Sequence, residues 1–459
     1  MKIVEINEKE YKDFFDKSSY THFMQCYEWG EACKGKGLKP LYLGLKDNDN
    51  LKGICLCFVK EMPFKLKYYY APRGPVLDFN DKSLIKDFSI AIKSYLKENN
   101  GIYFKMDPGV VLHTLDEKAQ PLKEGINNEW FHDYLLELGY SFKGYTKLFE
   151  ANQPRFTFRI DTKKPIEEIE KSMNKTYLKT IKRSYNYDLE ITNDYDNDTF
   201  YNLMKDIANR DNFNGYPKKF YEDYDKFMTQ GGKSINITIK IYPDKLLKKA
   251  EDELKDLETK VANKEIPEKK MADTNNIIAR LKKDIEVFSE YKGNENGIVS
   301  LILICPIINN QMWTLYIGNN SLATYTFAVN RSYYEAMKIA SEKNCEFLDL
   351  FGTCGDPGTK EKNYNGIHEY KRKMGGTYTE FVGEYDIVNK PFINKMLPIM
   401  LKIYRKLRRK WFFFFCIILE YVSIFNISFY GFVSIFNIFF MEFVSFFNAY
   451  FTEYVILIK

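Results

Sequence analysis

Residues 244–292 carry apolar side chains at the alternating spacing of three and four residues that forms a seam between two helices. The first run consists of Leu247, Ala250, Leu254, Leu257 and Val261. The second run follows Pro267 and consists of Met271, Thr274, Ile278, Leu281, Ile285 and Phe288. Charged residues are frequent between these positions, which indicates solvated outer faces. The sequence therefore predicts an antiparallel, coiled-coil-like helical hairpin over 244–292.

On both sides of this hairpin, short apolar runs alternate with segments of helical spacing. Strands are predicted at 38–45, 53–59, 101–107, 156–161, 235–242, 297–308, 312–318 and 346–351. Helices are predicted at 83–99, 165–185, 197–209 and 330–343, and a Gly-containing loop at 352–367. The alternation predicts an α/β or α+β fold rather than a helical bundle. We expect a first domain over 1–153 and a second over 154–400 that contains the hairpin.

The segment 401–459 has a different character. KIYRKLRRK (402–410) is strongly basic, and an apolar repeat with a period of eleven residues follows, with EYVSIFN at 420, GFVSIFN at 431 and EFVSFFN at 442. The 21 uncharged residues between Glu420 and Glu442 are long enough to cross a bilayer. The basic cluster would then keep residues 1–410 on the cytoplasmic side. The alternative is a low-complexity repeat without any role in a membrane.

Composition and motifs exclude several other classes. The chain has 67 Lys and Arg against 62 Asp and Glu, a net charge of +5 that by itself requires neither nucleic acid nor anionic lipid. The four histidines and eight cysteines show no metal-ligand spacing, so we expect no metal site and reduced thiols. QGGKS (230–234) has Phe227 where a P-loop needs glycine. A coenzyme A pyrophosphate loop is also lacking, which disfavours an ordinary acetyltransferase.

Several local motifs occur together in order along residues 1–400. They are FMQCYEWGEACK (23–34), YYYAPRGPVLD (68–78), FKMDPGV (104–110), MNKTYLKTIKRSY (173–185), ANRDNF (208–213), DLFGTCG (349–355), NGIHEYKRKMGG (365–376) and GEYD (383–386). This set resembles the Fem-type (FemABX) peptidyltransferases, which build cell-wall bridges. The resemblance implies two GNAT-like α/β units with an inserted helical arm. It also implies transfer of an amino acid from aminoacyl-tRNA to a stem-peptide amine of a peptidoglycan precursor, lipid II or its UDP-linked form, without a cofactor.

The resemblance assigns phosphate anchors and a candidate base. Lys34 and Arg210 match positions that hold the pyrophosphate of the precursor, for which a cation is suited. Asp107 ends an apolar strand and could orient the attacking amine or accept its proton. The alternatives remain open: both cations could be solvated, and Asp107 with Pro108 could simply form a turn.

The resemblance also assigns groups around the reacting carbonyl. Lys371 matches a lysine that stabilises the oxyanion and the terminal ribose of the tRNA, and Tyr370 stands where the family often has phenylalanine. Arg73, held between prolines, and Tyr316 are expected to line the same cleft. The alternatives are a solvated charge run for Lys371, a structural role for Arg73 and a core position for Tyr316.

A basic stripe is expected on one helical face within 173–185. It consists of Lys175, Lys179 and Lys182, with Arg183 beside them. Such a stripe can contact tRNA phosphates, although most short basic stripes are only solvated faces. Two other functions stay open for the whole chain: an N-acyltransferase acting on a different amine, and a non-catalytic, membrane-tethered adaptor. We expect a cytoplasmic enzyme at the inner membrane face, with its donated amino acid, acceptor amine and oligomeric state undetermined.

Overall fold

The computed structural model describes residues 1–62, 65–211 and 214–397. The predicted membrane tail lies outside these ranges. Residues Met1–Lys390 form one compact unit, and a second begins at Pro391, of which only the helix at 391–397 is described. Within the described ranges, no helix combines the length and the apolar composition that a membrane crossing requires.

The described strands belong to two mixed sheets. In chain order they are β1 (Lys2–Glu5), β2 (Lys39–Asp47), β3 (Asn50–Glu61), β4 (Lys67–Arg73), β5 (Gly101–Pro108), β6 (Val111–Leu115), β7 (Ser141–Phe142), β8 (Phe156–Asp161), β9 (Glu190–Thr192), β10 (Ser234–Ile241), β11 (Ile298–Ile308), β12 (Gln311–Trp313), β13 (Tyr316–Asn319), β14 (Phe347–Thr353), β15 (Thr377–Phe381) and β16 (Tyr385–Val388).

The described α-helices cover the sheets or project from them. They are α1 (Glu8–Phe15), α2 (Tyr27–Cys33), α3 (Lys82–Glu98), α4 (Glu129–Glu137), α5 (Ile166–Ser172), α6 (Lys175–Ser184), α7 (Asn197–Asp211), α8 (Lys218–Tyr224), α9 (Pro243–Ala262), α10 (Glu268–Ser289), α11 (Ser321–Tyr325), α12 (Ala328–Glu342) and α13 (Lys362–Arg372).

The first sheet has the strand order β1-β2-β3-β4-β5-β16-β7. β4 and β5 are parallel, and α3 makes the crossover between them. Asp81 caps α3 by accepting a hydrogen bond from the backbone N–H of Leu84. Ile85, Phe88 and Ile92 recur at helical spacing and are buried, so this face of α3 packs on the sheet.

The second sheet has the order β6-β15-β8-β14-β12-β11-β10-β9, and β13 also pairs with β11. The two sheets exchange strands: β6 follows β5 directly but pairs with β15, and the late strand β16 returns to lie between β5 and β7. The carboxyl ends of β4 and β5 therefore lie where the chain passes from one sheet to the other.

The predicted helical hairpin is confirmed as α9 and α10. Proline occupies the first position of α9, where its missing N–H costs nothing. The seam residues Leu247, Leu281 and Phe288 are buried, and Leu247 and Phe288 belong to the apolar core of the second sheet. At the same end, the buried Asp284 carboxylate accepts hydrogen bonds from two tyrosine hydroxyls, those of Tyr187 (3.0 Å) and Tyr325 (2.8 Å). These bonds fix the base of the arm to the fold.

Three predicted elements differ from the structure. The helix predicted at 165–185 is two helices, because the Asn174 side chain caps α6 and interrupts the helical backbone. The strand predicted at 312–318 is two short strands, β12 and β13. The loop predicted at 352–367 is too long, since α13 already begins at residue 362. Asn365 and Gly366 are poor helix formers and hide its beginning.

Candidate active site

Asp107 lies at the carboxyl end of β5, next to the end of the parallel strand β4. Its Oδ1 accepts a hydrogen bond from the backbone N–H of Arg73 (2.6 Å), and its Oδ2 accepts one from the Tyr70 hydroxyl (2.7 Å). Burial raises the pKa of Asp107 to about 6, against the opposing effects of Arg73 and both hydrogen bonds. A carboxylate with this pKa can accept a proton near neutral pH.

Arg73 is buried beside this carboxylate. Its Nη2 donates to the Pro154 carbonyl (2.6 Å), its guanidinium lies 4.2 Å from the centre of the Phe381 ring, and its Nε has no hydrogen-bond partner among the described residues. Burial lowers the pKa of Arg73. The bond to the carbonyl matches the structural alternative considered for this arginine, while its charge remains next to Asp107.

The second sheet contributes an ion pair that the sequence did not single out. Asp349, in β14, accepts hydrogen bonds from Thr157 Oγ1 (2.5 Å), the backbone N–H of Phe351 (2.8 Å) and Arg159 Nε (3.0 Å). The Arg159 guanidinium lies 5.0 Å from the centre of the same Phe381 ring that Arg73 contacts. Arg73 and Arg159, here called the guanidinium pair, thus bring the two sheets together at this point.

Lys371 lies in the last turn of α13 and is only 9% exposed, so it is not part of a solvated charge run. Its Nζ donates to two carbonyls at the end of β14, those of Phe351 (3.1 Å) and Gly352 (2.7 Å). Burial lowers the pKa of Lys371 to about 8, with the nearby Asp349 charge opposing the shift. An ammonium has three donors, so one remains for another acceptor.

Backbone strain is present at both sides of this site. Arg73 has φ of 55° and Phe351 has φ of 61°, in the left-handed region that non-glycine residues rarely adopt. Such conformations persist only where the surrounding structure holds them, and they are concentrated at functional sites. Their occurrence beside Asp107 and Lys371 supports this junction as the candidate active site.

Tyr370 is directed away from this junction. Its ring packs edge-on against Tyr177 (6.1 Å between ring centres) and Tyr333 (5.9 Å). The glycine pair that follows is required by the backbone: Gly375 and Gly376 have φ of 83° and 91°. In the structure, Tyr370 therefore fixes the position of α13 in the core, and no contact links it to the Lys371 amine.

The two predicted phosphate anchors are exposed surface residues. The Lys34 side chain is 53% exposed and its Nζ pairs with Glu31 at 2.7 Å. The Arg210 side chain is 57% exposed and its Nε pairs with Asp211 at 3.0 Å. Among the described residues, no contact brings either of them to Asp107.

A second lysine, Lys36, differs from the exposed Lys34 because aromatic rings shield its amine from water. Its Nζ lies 3.7 Å from the centre of the Tyr216 ring and 3.9 Å from that of Phe220, and it donates to the Tyr316 hydroxyl (3.3 Å). Burial lowers its pKa to about 8. No carboxylate within the described ranges forms an ion pair with the Lys36 amine, so this amine could pair with the anion of a ligand. The predicted residue Tyr316 belongs to this aromatic cage.

A row of aromatic rings connects the Lys36 cage to the guanidinium pair. Trp29, beside Lys36, contacts Phe23 (5.2 Å), which contacts Trp313 (5.2 Å), which contacts the His22 ring (4.9 Å). Burial and the two guanidinium charges hold the pKa of His22 well below its ordinary value. This imidazole is therefore neutral, and the row is an apolar partition between two cationic sites.

The predicted basic stripe is present on α6. Lys175, Lys179 and Lys182 are exposed, and the Arg183 guanidinium lies 4.6 Å from the centre of the Phe327 ring. For metals, the described residues contain no group of three or more His, Cys, Asp or Glu side chains that could hold an ion.

Comparison with known proteins gives relatives that align over most of the chain. The aminoacyltransferase FemA of Staphylococcus epidermidis is 26% identical over 431 residues, which cover 89% of this chain and 99% of that protein. The lipid II:glycine glycyltransferase of the same species gives the same identity and coverage. FemA of Staphylococcus aureus strain MW2 is 25% identical over 417 residues, with 85% and 96% coverage.

Among solved structures, the crystal structure of FemX is similar with a TM-score of 0.66 at 21% identity, and the match covers 86% of this chain and all of that one. The α/β class predicted from the sequence is confirmed by this fold, and the predicted acyl-transferring activity is confirmed by the relatives. The model of the FemAB family matches residues 6–402. The chain therefore belongs to the FemAB family.

Proposed function

We propose that this protein transfers an amino acid from an aminoacyl-tRNA to the stem-peptide amine of a peptidoglycan precursor, with lipid II as the acceptor. The observation that carries the proposal is the pair of opposed pKa shifts at one junction, Asp107 raised to about 6 and Lys371 lowered to about 8. Such a pair provides an acceptor and a donor of protons at neutral pH. The glycyltransferase relative supports lipid II as the acceptor.

The chemistry requires one bond to form and one to break. The neutral acceptor amine attacks the ester carbonyl, a C–N bond forms, and the C–O bond to the tRNA ribose breaks. Asp107 takes the proton that the amine loses, and the free N–H of Lys371 stabilises the negative oxygen of the intermediate. As the C–O bond breaks, Asp107 returns this proton to the leaving ribose oxygen, so the charge balances and the carboxylate is restored. No redox step is involved.

The acceptor would be held by its phosphates. We assign this role to Lys36 rather than to Lys34, because the Lys36 amine is half-buried among aromatic rings without an ion-pair partner in the described structure. An arriving phosphate would restore the full charge of the amine. Lys34 and Arg210 lie exposed and would contribute only from the rim. Placement at the inner membrane face rests on the tail 401–459, outside the described residues.

A transfer assay tests the proposal. The purified protein is incubated with lipid II and radiolabelled glycyl-, seryl- or alanyl-tRNA, and the labelled lipid product is measured. We expect transfer with one of the three, a loss of at least about a hundredfold in kcat for Lys371→Met, and little change for the exposed control Lys343→Met. Absence of transfer with all three donors, in protein shown to be folded, would overturn the proposal.

A further inference from the structure

We propose that the outward face of α6 binds the phosphate backbone of the donor tRNA near its acceptor end. This face, here called the α6 basic face, consists of Lys175, Lys179, Lys182 and Arg183. The inference rests on the proposed function, because it gives the tRNA a route to the Lys371 site.

Helix α6 is amphipathic, with one buried face and one solvent-exposed face. Tyr177, Ile181 and Ser184 are buried against the fold, and this fixes the opposite side toward solvent. The sequence of α6, KTYLKTIKRS, contains no acidic residue. Its three lysines form no ion pair within the described part of the chain. The α6 basic face is therefore an uncompensated positive strip.

Neighbouring carboxylates are mostly occupied by other partners. Glu170 accepts a hydrogen bond from the Tyr334 hydroxyl (2.6 Å), and Asp188 pairs with Lys249 (3.2 Å). Glu167 and Glu168 are exposed, but they lie on the preceding helix α5. The charge on α6 is thus available to an external anion.

The position of α6 links this charge to the candidate active site. The backbone N–H of Asn174, the cap of α6, donates to the carbonyl of Lys373 at 3.0 Å, directly after the helix that carries Lys371. The Tyr177 ring of α6 packs against Tyr370. The basic face therefore begins beside the end of α13 and leads away from it. A nucleic acid whose 3′ end reaches Lys371 has this strip along its path.

The other end of the strip carries an exposed aromatic ring. Tyr185 directly follows α6 and is 54% exposed. The Arg331 guanidinium covers one face of the ring at 3.7 Å, and Glu335 holds this guanidinium at 2.6 Å. A tyrosine supported in this way offers its free face to a nucleic acid base, which is a common form of contact with single strands.

The dimensions agree with a phosphate backbone. From Lys175 to Lys182 the helix rises about 10 Å, close to three steps of about 3.4 Å between successive phosphates along the axis of one duplex strand. The helical arm does not offer such a strip. Acidic and basic residues are interspersed along it, and some of them pair with one another, as in Lys260–Asp256 (2.7 Å) and Lys282–Glu258 (3.1 Å). The strip on α6 is therefore the better fit to a polyanion.

The test compares two triple variants of the full chain. Lys175→Ala, Lys179→Ala and Lys182→Ala together remove the strip while favouring the helix. The matched control is Lys86→Ala, Lys93→Ala and Lys97→Ala on α3, three lysines on one face of a helix that packs on the first sheet. Filter binding of uncharged tRNA and the KM values for aminoacyl-tRNA and for lipid II are measured at 50 and 200 mM salt.

Three phosphate contacts, each with a slope of about −0.9, contribute roughly a 40-fold loss of tRNA affinity between these two salt concentrations. We expect the α6 variant to lack this part of the salt dependence, to raise KM for aminoacyl-tRNA at low salt, and to leave KM for lipid II unchanged. An α6 variant with the same tRNA affinity and salt dependence as the control overturns the inference. If the unaltered protein transfers no amino acid, the proposed function fails. The filter-binding measurement with uncharged tRNA still tests, independently of transfer, whether the α6 basic face binds tRNA.

Discussion

Replacing Lys371 by methionine should change how the stability of the protein depends on pH. In the folded chain the pKa of this buried lysine is lowered from 10.5 to about 8. A shift of this size, multiplied by about 1.36 kcal/mol per unit, corresponds to roughly 3 kcal/mol. Methionine fills a similar volume and cannot take up a proton, so the comparison isolates the titration of the amine.

The direction of this pH dependence follows from the protonation of Lys371 in the folded and the unfolded chain. Between pH 8 and about 10.5 the unfolded chain keeps the proton on Lys371 while the folded chain has lost it. The free energy of unfolding of the original protein therefore rises with pH relative to that of Lys371→Met, by up to about 3 kcal/mol across this window. Below pH 8 the difference between the two proteins is constant. Other groups, such as Lys36, contribute equally to both and cancel.

Urea unfolding at half-unit steps from pH 6.5 to 10.5 measures this difference. Lys343→Met serves as the control, because Lys343 is exposed at the end of α12 and should show no change in the difference with pH. A difference for Lys371→Met that stays flat from pH 7 to 10 would refute the argument. The amine would then be solvated, and the proposed oxyanion contact would lose its physical basis.

Four further substitutions test separate parts of the site. Tyr70→Phe removes a hydrogen bond that lowers the pKa of Asp107, so the acidic limb of the pH profile of kcat/KM should move to higher pH. If kcat/KM measured from pH 5 to 8 shows no such movement, Asp107 is not the proton acceptor. Lys36→Met should raise KM for lipid II at least about tenfold and Lys34→Ala less than about twofold, whereas equal effects in steady-state kinetics would contradict the assignment. Gly375→Ala forces φ of 83° on a residue with a Cβ and should lower the free energy of unfolding by about 1 kcal/mol or more; an unchanged urea midpoint would show that the backbone adjusts.

The sequence predicted those parts of the fold that depend on local spacing. The heptad pattern of 244–292 specifies a hairpin because each seam position is set by residues three or four away. Strands such as β5 and β8 are bounded by their own apolar runs. The exchange of β6 and β16 between the sheets leaves no local sign, since pairing partners are chosen by contacts far along the chain.

The residues of the candidate site also divide into those with a local signal in the sequence and those that depend on distant contacts. The Lys36 amine is partly covered by rings distant in sequence, and Tyr316, which accepts its hydrogen bond, lies 280 residues away. Nothing near Lys36 distinguishes it from Lys34. For Lys371 a local signal does exist: it follows the fully buried His368 by three residues, so both lie on the inner face of α13. Placing His368 on the inner face of the helix assigns Lys371 to the same face and leaves its neighbours Arg372 and Lys373 toward solvent.

The exchange of strands has a consequence for synthesis on the ribosome. β5 is made early, but the strand that covers its outer edge arrives much later: Lys105 and its ion-pair partner Glu384 are 279 residues apart. During most of translation, the nascent chain therefore presents an open row of backbone donors and acceptors at β5. Such late, non-local pairing is slow and exposed to misassembly. A chain that terminates before β16 would leave the sheet that carries Asp107 permanently unfinished.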